Sequence, residues 1–357
     1  MIKNHGMVWL MVVIATALVS CGKVEEDAAN TVTTVAGYAG YTGTVDGVGT
    51  AARFDYPYGI TTDGTNLFVA DANNNTIRQI IASTGTVTTF AGTASASGSA
   101  DGTGTAARFK HPEGITSDGT NLYVADTGNN TIRQIVISTK VVTTLAGVAG
   151  AVGTADGTRT AARFNYPTGI TTHGGYVYVA DTDSHTIRKI VISSGVVATL
   201  AGTAGTAGSA DGTGTGAQFN YPYGIASDGT YVYVADANNN TIRKVVITSG
   251  IVTTLTGAAG SIGSSDGTGT AALFNFPVGL TMDDSNLYIA DTGNNTIRQI
   301  VISSGVVTTL AGAAGTAGST DNTGSDARFN YPTGLTELGG YLFVADAGNS
   351  TIRAVKL

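Results

Sequence analysis

A single pattern recurs six times at intervals of 55 residues: Ala-Asp, a polar turn and Thr-Ile-Arg, with the aspartates at Asp71, Asp126, Asp181, Asp236, Asp291 and Asp346. Two further marks keep the same interval. Every proline stands in Phe-x-x-Pro-x-Gly, at Pro57, Pro112, Pro167, Pro222, Pro277 and Pro332, and an Asp/Gly-rich segment carries Asp46, Asp101, Asp156, Asp211, Asp266 and Asp321. A fixed period of this length means one supersecondary unit that stacks on copies of itself to bury its apolar faces. The six copies occupy residues 31 to 357, so a length that would otherwise suggest two or three domains reads as one array.

Each copy reads as four short strands. In the first, Gly59 to Thr62 begins a strand and Asp63-Gly64 is a hairpin signal; Asn66 to Asp71, Thr76 to Ala82 and Val87 to Phe90 follow. No segment shows the 3.6-residue apolar period of a helix. The second strand is apolar on both faces, Leu67 and Val69 on one and Phe68 and Ala70 on the other, which implies sheets stacked on sheets. Four-stranded units of this kind predict an all-β, six-bladed β-propeller. A parallel β-helix is the alternative, but its repeats are usually shorter and its ends need caps. The series begins with a fourth-strand motif at Thr31 to Gly37 and ends with a third strand at Thr351 to Leu357. Pairing these two closes the ring, the N-terminal strand completing the last blade, and removes an open sheet edge.

Pro-x-Gly-Ile, Leu-Tyr-Val-Ala-Asp, the Ile-Arg pair and Val-Thr-Thr-Leu-Ala-Gly together resemble the NHL-repeat family of six-bladed propellers over residues 31 to 357. One departure is visible. Where the family often has Asn-His-Arg before the isoleucine, this chain has Asn-Asn-Thr or similar, with His185 the only comparable histidine. The resemblance implies a protein- or ligand-interaction platform, the sensor portion of a membrane protein or, occasionally, a lyase or lactonase.

Residues 1 to 20 combine Lys3, an apolar run from Met7 to Leu18 and small residues at the end, the form of a secretory signal. The run is too short to span a bilayer, which takes about 20 residues. Leu18-Val19-Ser20-Cys21 resembles the bacterial lipobox, which implies lipidation of Cys21 as the first mature residue. An ordinary signal followed by a free thiol is the alternative reading. Residues 21 to 30, with Glu25, Glu26 and Asp27, read as a polar tether. Gly22 departs from the Asp that favours inner-membrane retention, so the expected location is the outer membrane or cell surface of a bacterial envelope. One Cys cannot form a disulfide framework, and 18 Lys plus Arg against 25 Asp plus Glu without a basic cluster argues against nucleic acid. The glycine excess, 50 residues, follows no three-residue period and accompanies 42% apolar residues, which excludes collagen and disorder.

Positions alike in all six copies serve the ring; positions that differ are where one spot is specialised. The repeated Asp reads as a cap on the turn that follows it, with a calcium loop at Asp71 to Asn75 as the weaker alternative. The repeated Arg (Arg78, Arg133, Arg188, Arg243, Arg298, Arg353) reads as structural, and the Asp/Gly loops as blade-to-blade straps. His111, His173 and His185 hold unrelated positions, so no metal site or cofactor is expected. The innermost strands carry Thr61, Thr116, Thr171, Ala226, Thr281 and Thr336, a channel of small neutral groups with no acid or base. Variation concentrates after the proline: Tyr58, Glu113, Thr168, Tyr223, Val278 and Thr333. The residue before it is aromatic except in blade two, where Lys110, His111 and Glu113 break the pattern together. Tyr58, Lys110, His111, Glu113 and Tyr223 are therefore the candidate ligand- or partner-binding residues at the channel mouth. The expected function is a lipid-anchored, non-catalytic scaffold for an envelope protein or polysaccharide. The alternative is an extracytoplasmic metal-dependent lyase or lactonase with its site in the channel.

Overall fold

A computed structural model describes residues 28–357; the signal segment, Cys21 and most of the tether lie outside the described residues. Six antiparallel sheets stand in a ring. In blade one the strands run outward from the axis as Pro57–Thr62, Asn66–Asp71, Thr76–Ile81 and Thr86–Ala91. The ladder registers Leu67 with Ile80 and Ile80 with Val87. The expected four strands gain a fifth in five of the blades. The strap entering blade one contributes Gly47–Val48, which pairs with the outer edge at Thr86 and Val87. In blade six the corresponding strap reaches that edge through one bridge, Thr31 to Thr323.

The ring closes as the motif series requires. Val32–Ala36 pairs antiparallel with Thr351–Lys356, Val32 facing Val355 and Thr34 facing Arg353. The apolar core is divided into clusters between neighbouring sheets. Ala36, Phe343 and Ile352 of blade six pack on Phe54, Leu67 and Val69 of blade one, and Phe68, Ala70 and Ile77 of blade one pack on Leu122 and Val124 of blade two. Alternate residues of each second strand therefore face opposite neighbours, which is why both faces are apolar.

The three sequence marks meet in one clasp per blade. In blade one, Arg78 donates through Nη1 to Asp71 Oδ2 at 2.8 Å and to the Arg53 carbonyl, and through Nη2 to the strap residue Asp46 at 2.7 Å and the Val45 carbonyl. Its guanidinium lies 5.1 Å from the centre of the Phe54 ring. Asp71 is fully buried, and its Oδ1 accepts the Asp55 N–H at 2.8 Å. The aspartate thus does accept a backbone N–H, but from the Phe-x-x-Pro segment 16 residues earlier and not from the turn that follows. Asn74 of that turn donates its side-chain amide to Oδ2, so Asp71 is bound by protein donors on both oxygens. Burial pushes the carboxyl up to about 6, against the pull of Arg78, Asn74 and the Asp55 N–H.

Candidate functional site

The invariant glycine of Pro-x-Gly builds the axis. A Cβ on Gly59 would collide with the Glu113 carbonyl of blade two, one on Gly114 with the Thr168 carbonyl, and so round the ring to Gly334 against the Tyr58 carbonyl. Neighbouring innermost strands touch backbone to backbone, and only glycine permits that approach. Just before it the ladder slips. Pro57 faces Asp71 but Ile60 faces Val69, leaving one extra residue in the inner strand, and four other blades repeat this bulge. A bulge re-aims side chains, and here Tyr58, Thr168, Tyr223, Val278 and Thr333 turn onto the axis. They line a cavity of about 70 Å³ together with Ile60, Ile115, Ile170, Ile225, Leu280 and Leu335. The wall thus combines two tyrosines and two threonines with aliphatic side chains, and the threonines one position further, expected to line the channel, are not among its lining residues.

The residues before the prolines form the rim. Tyr56, His111, Tyr166, Tyr221, Phe276 and Tyr331 all have left-handed φ between 47° and 56°, a conformation that costs a non-glycine residue energy unless its surroundings hold it. The preceding blade does so in five cases. The N–H of Tyr166 donates to Asn130 Oδ1 at 2.8 Å, and Asn75, Asn240 and Asn295 serve His111, Phe276 and Tyr331 in the same way. His185 takes this role in blade three, its Nδ1 accepting the Tyr221 N–H at 3.2 Å with the two rings edge to face. Burial holds the His185 pKa down, countered by Asp183, as an accepting, neutral imidazole requires.

Blade two departs in backbone as well as sequence. Its innermost strand begins only at Ile115, and the Glu113 N–H donates to the Ala125 carbonyl. Glu113 is 2% exposed. Its Oε1 accepts the Tyr166 hydroxyl at 2.8 Å and lies 3.0 Å from His111 Nδ1, whereas Oε2 is buried without a partner. Burial raises the phenol pKa of Tyr56, Tyr58, Tyr166, Tyr223 and Tyr331, and the Glu113 carboxylate adds to the rise in all five. These residues belong to blades one, three, four and six. Tyr56 packs on Tyr58 and Tyr331, with ring centres 6.0 and 6.2 Å apart, and Tyr223 on Phe276 at 5.4 Å.

Of the five residues singled out by variation, His111 and Glu113 are in contact and Tyr58 and Tyr223 wall the cavity below them. Lys110 is not brought in: it is exposed, and its stem runs over the turn at Gly128, where a Cβ would meet its Cγ at 2.8 Å. Tyr56, Tyr166 and Tyr331 join the site although variation among the copies did not single them out. Among the described residues no three His, Cys, Asp or Glu side chains come together as a metal site would need. Among them also, no helix is long and apolar enough to cross a membrane.

A family model for the LVIVD repeat matches residues 167–187 and 223–242, the inner portions of blades three and four. The chain is 30% identical over 296 residues to NHL repeat-containing protein 2 of Homo sapiens, covering 73% of this chain and 41% of that protein. It is 30% identical over 323 residues to Protein SUPPRESSOR OF QUENCHING 1, chloroplastic, of Arabidopsis thaliana, covering 85% and 30%. The chain thus spans less than half the length of these relatives. Among solved structures, an auxiliary nutrient binding protein from Bacteroides thetaiotaomicron VPI-5482 superposes with a TM-score of 0.70 at 18% identity, covering 94% of this chain and 78% of that one. Virginiamycin B lyase from Staphylococcus aureus superposes with 0.53 at 16%, covering 84% and 94%. At these identities the two structures share the fold. Repeat period, closure and relatives agree: the chain belongs to the NHL-repeat propeller family.

Proposed function

We propose that the chain is a non-catalytic binding scaffold, held at the bacterial cell envelope by a lipid on Cys21, with the channel mouth as its contact surface. The observation that carries this is a division of labour among the six copies. The Asp, Arg, Phe and Gly repeated in every blade are consumed by clasps and by the axis, whereas the residues that differ, above all Tyr58, Glu113 and Tyr223, converge on one mouth. An envelope protein or a polysaccharide segment is the partner class, and the fold shared with a nutrient binding protein lends support at the level of architecture. Acyl chains on Cys21 would hold the protein on the membrane, since two or more anchor stably. A photoreactive residue in place of Tyr331, which is 37% exposed on the rim, tests the reading in intact cells. Capture of one discrete envelope component is expected, and an empty crosslink overturns it. Cys21→Ala should release the protein from the membrane fraction.

The second reading, an extracytoplasmic lyase or lactonase, draws on the His111, Glu113 and Tyr166 chain, an acid/base arrangement at the channel mouth. As a metal centre this set is incomplete, since His111 and Glu113 supply two ligands. Stoichiometric zinc or calcium in the purified protein would favour that reading over the scaffold.

A further inference from the structure

We propose that the seam between blades six and one carries a binding site of its own, a groove bordered by Tyr38 and Tyr41 that takes an uncharged sugar unit. The site is separate from the channel mouth and goes beyond the reading above.

The first observation comes from comparing the six straps. Tyr38 and Tyr41 lie in the strap that follows the closing strand. The counterparts of Tyr38 are Thr93, Val148, Thr203, Ala258 and Ala313, and those of Tyr41 are Ala96, Ala151, Thr206, Ser261 and Thr316. One strap in six thus holds two aromatic rings where the fold asks for nothing larger than valine. They serve no core: Tyr38 is 49% and Tyr41 61% exposed, the rings edge to face with centres 5.0 Å apart. Arg53, fixed on the Thr50 and Ala52 carbonyls, lies 5.3 Å from the centre of the Tyr38 ring.

The second observation is the groove beside the pair. Its volume, about 430 Å³, falls in the range of roughly 300–1,000 Å³ usual for small-molecule sites. Thr34 of the closing strand, Thr50, Ser319 and Asp321 complete its lining. Asp321 Oδ1 accepts from Arg353 and from the Thr34 hydroxyl, and Oδ2 accepts the Thr34 N–H. The carboxylate is therefore charge-compensated, yet it is half exposed and keeps room for one more donor. A pyranose presents polarised C–H groups on its face, which match the negative face of an aromatic ring, and hydroxyls around its edge, which both donate and accept. Two exposed phenols, three hydroxyls and one compensated carboxylate complement both. An anion would meet Asp321, because no lysine or arginine lines the groove and Arg353 is buried. An added peptide strand would need a free edge, and the Thr34 N–H is already spent on Asp321. A bilayer surface favours apolar side chains flanked by Lys or Arg, whereas these walls are hydroxylated and acidic.

The polar frame is not unique to this seam. Between blades five and six, Thr309 bonds to Asp266 as Thr34 does to Asp321, Arg328 holds the Ser325 and Ala327 carbonyls, and Ala313 bridges Thr316 as Tyr38 bridges Tyr41. What that seam lacks is the rings, which makes it the place to test their part.

The full chain, in a polyoxyethylene detergent that brings no sugar of its own, is titrated with the methyl glycosides of glucose, galactose, mannose and N-acetylglucosamine, and with glucuronate as the anionic match. Saturation-transfer NMR and calorimetry read the binding. At least one neutral glycoside should bind with a Kd on the order of 1 mM or tighter, and glucuronate about tenfold more weakly or not at all. Tyr38→Ala and Tyr41→Ala should each weaken the neutral glycoside about fivefold or more and leave the melt unchanged, as surface changes do. Ala313→Tyr combined with Thr316→Tyr should raise the capacity from one sugar per chain to two. No response to any neutral glycoside, a response that survives both tyrosine changes, or an unchanged capacity in the transplanted variant overturns the inference. Tyr41-dependent binding of the Cys21→Ala protein to phosphatidylethanolamine–phosphatidylglycerol vesicles, with no sugar response, assigns the pair to a membrane surface and overturns it too. None of these outcomes bears on the crosslink from the Tyr331 position, so the scaffold reading stands or falls separately.

Discussion

Removing Arg188 should destabilise the propeller more than any other single clasp arginine, because blade three is the blade in which the clasp has least redundancy. Five blades place an asparagine where its amide donates to the buried Asp, namely Asn74, Asn129, Asn239, Asn294 and Asn349. Blade three has Ser184 there, and Asp181 keeps Arg188 Nη1 at 2.8 Å and the Asn165 N–H at 2.7 Å. Both Asp181 and Arg188 are fully buried. Arg188→Met fills the space beside Phe164 but strands the carboxylate and frees the Arg163 and Ala155 carbonyls that Arg188 serves at 3.0 Å. Breaking a buried pair from one side costs about 3–5 kcal/mol, which for a ring of this size lowers Tm by about 4–7 °C. Arg243→Met should fall at the lower end, since Asn239 still serves Asp236. Asp156→Asn, at the half-exposed end of the same arginine, should cost at most about 1 kcal/mol.

The loss should also depend on pH with a defined sign. An unfolded aspartate titrates near 4, and burial raises folded Asp181 to about 6 even with Arg188 lowering it. Without Arg188 it rises further, so the folded variant binds this proton more tightly than the unfolded chain does. Stability from such a group is present at low pH and is lost as pH climbs through the folded value. The deficit of Arg188→Met should therefore be smaller at pH 5 than at pH 8, and the double variant with Asp181→Asn should recover part of it at pH 8. Calorimetric melts of the full chain at the two pH values check this. Equal costs for Arg188→Met and Asp156→Asn, or a deficit larger at pH 5, would refute the reasoning.

Deleting residues 31 to 37 exposes the edge of Thr351–Lys356 and opens the ring; a large fall in melting temperature is expected, and an unchanged melt would reject closure by this strand. Gly224→Ala pushes a methyl into the Val278 carbonyl and the Leu280 N–H, so a loss of about 1–3 kcal/mol or more is expected by denaturant titration. Asn130→Ala leaves the Tyr166 N–H without its acceptor in a left-handed conformation, for about 1–3 kcal/mol by the same measure. His185 works as a neutral acceptor with its pKa held down, so its contribution is present above about pH 6.5 and lost as pH falls through the lower folded value. His185→Asn should remove that acid-side decline from the melting profile.

The ring was legible because its determinants are local and repeated. Period, turn residues and two-faced strands announce themselves in any one copy, and the orphan strands at Thr31 and Leu357 specify the closure. The clasp was half legible: Asp, Arg, Phe and strap Asp were each visible, but nothing in linear order says that Arg133 reaches Asp101 32 residues away and Asp126 seven residues away. At the site, comparing copies picked out Glu113, Tyr58 and Tyr223. It also picked Lys110, since a break in pattern carries no information on side-chain direction. Tyr166 escaped because its importance arises from the curvature that brings one blade's rim over its neighbour. The channel wall was misplaced by one residue because the bulge after the proline in five blades shifts the alternation.

The glycine contacts along the axis have a consequence for how such a protein can change its target. Backbone contact sets the spacing of the inner strands, so the side chain just before each glycine is freed from that one duty, although Thr168 and Thr333 still bond to Thr182 and to the Tyr58 carbonyl. The mouth then offers positions that can differ from blade to blade on a shared frame. A codon change in one blade can install or erase a charge there, as Glu113 does in the blade whose innermost strand begins only at Ile115. Moving the carboxylate to the opposite side, by pairing Glu113→Val with Val278→Glu, would ask whether recognition depends on the charge itself or on its compass bearing around the ring.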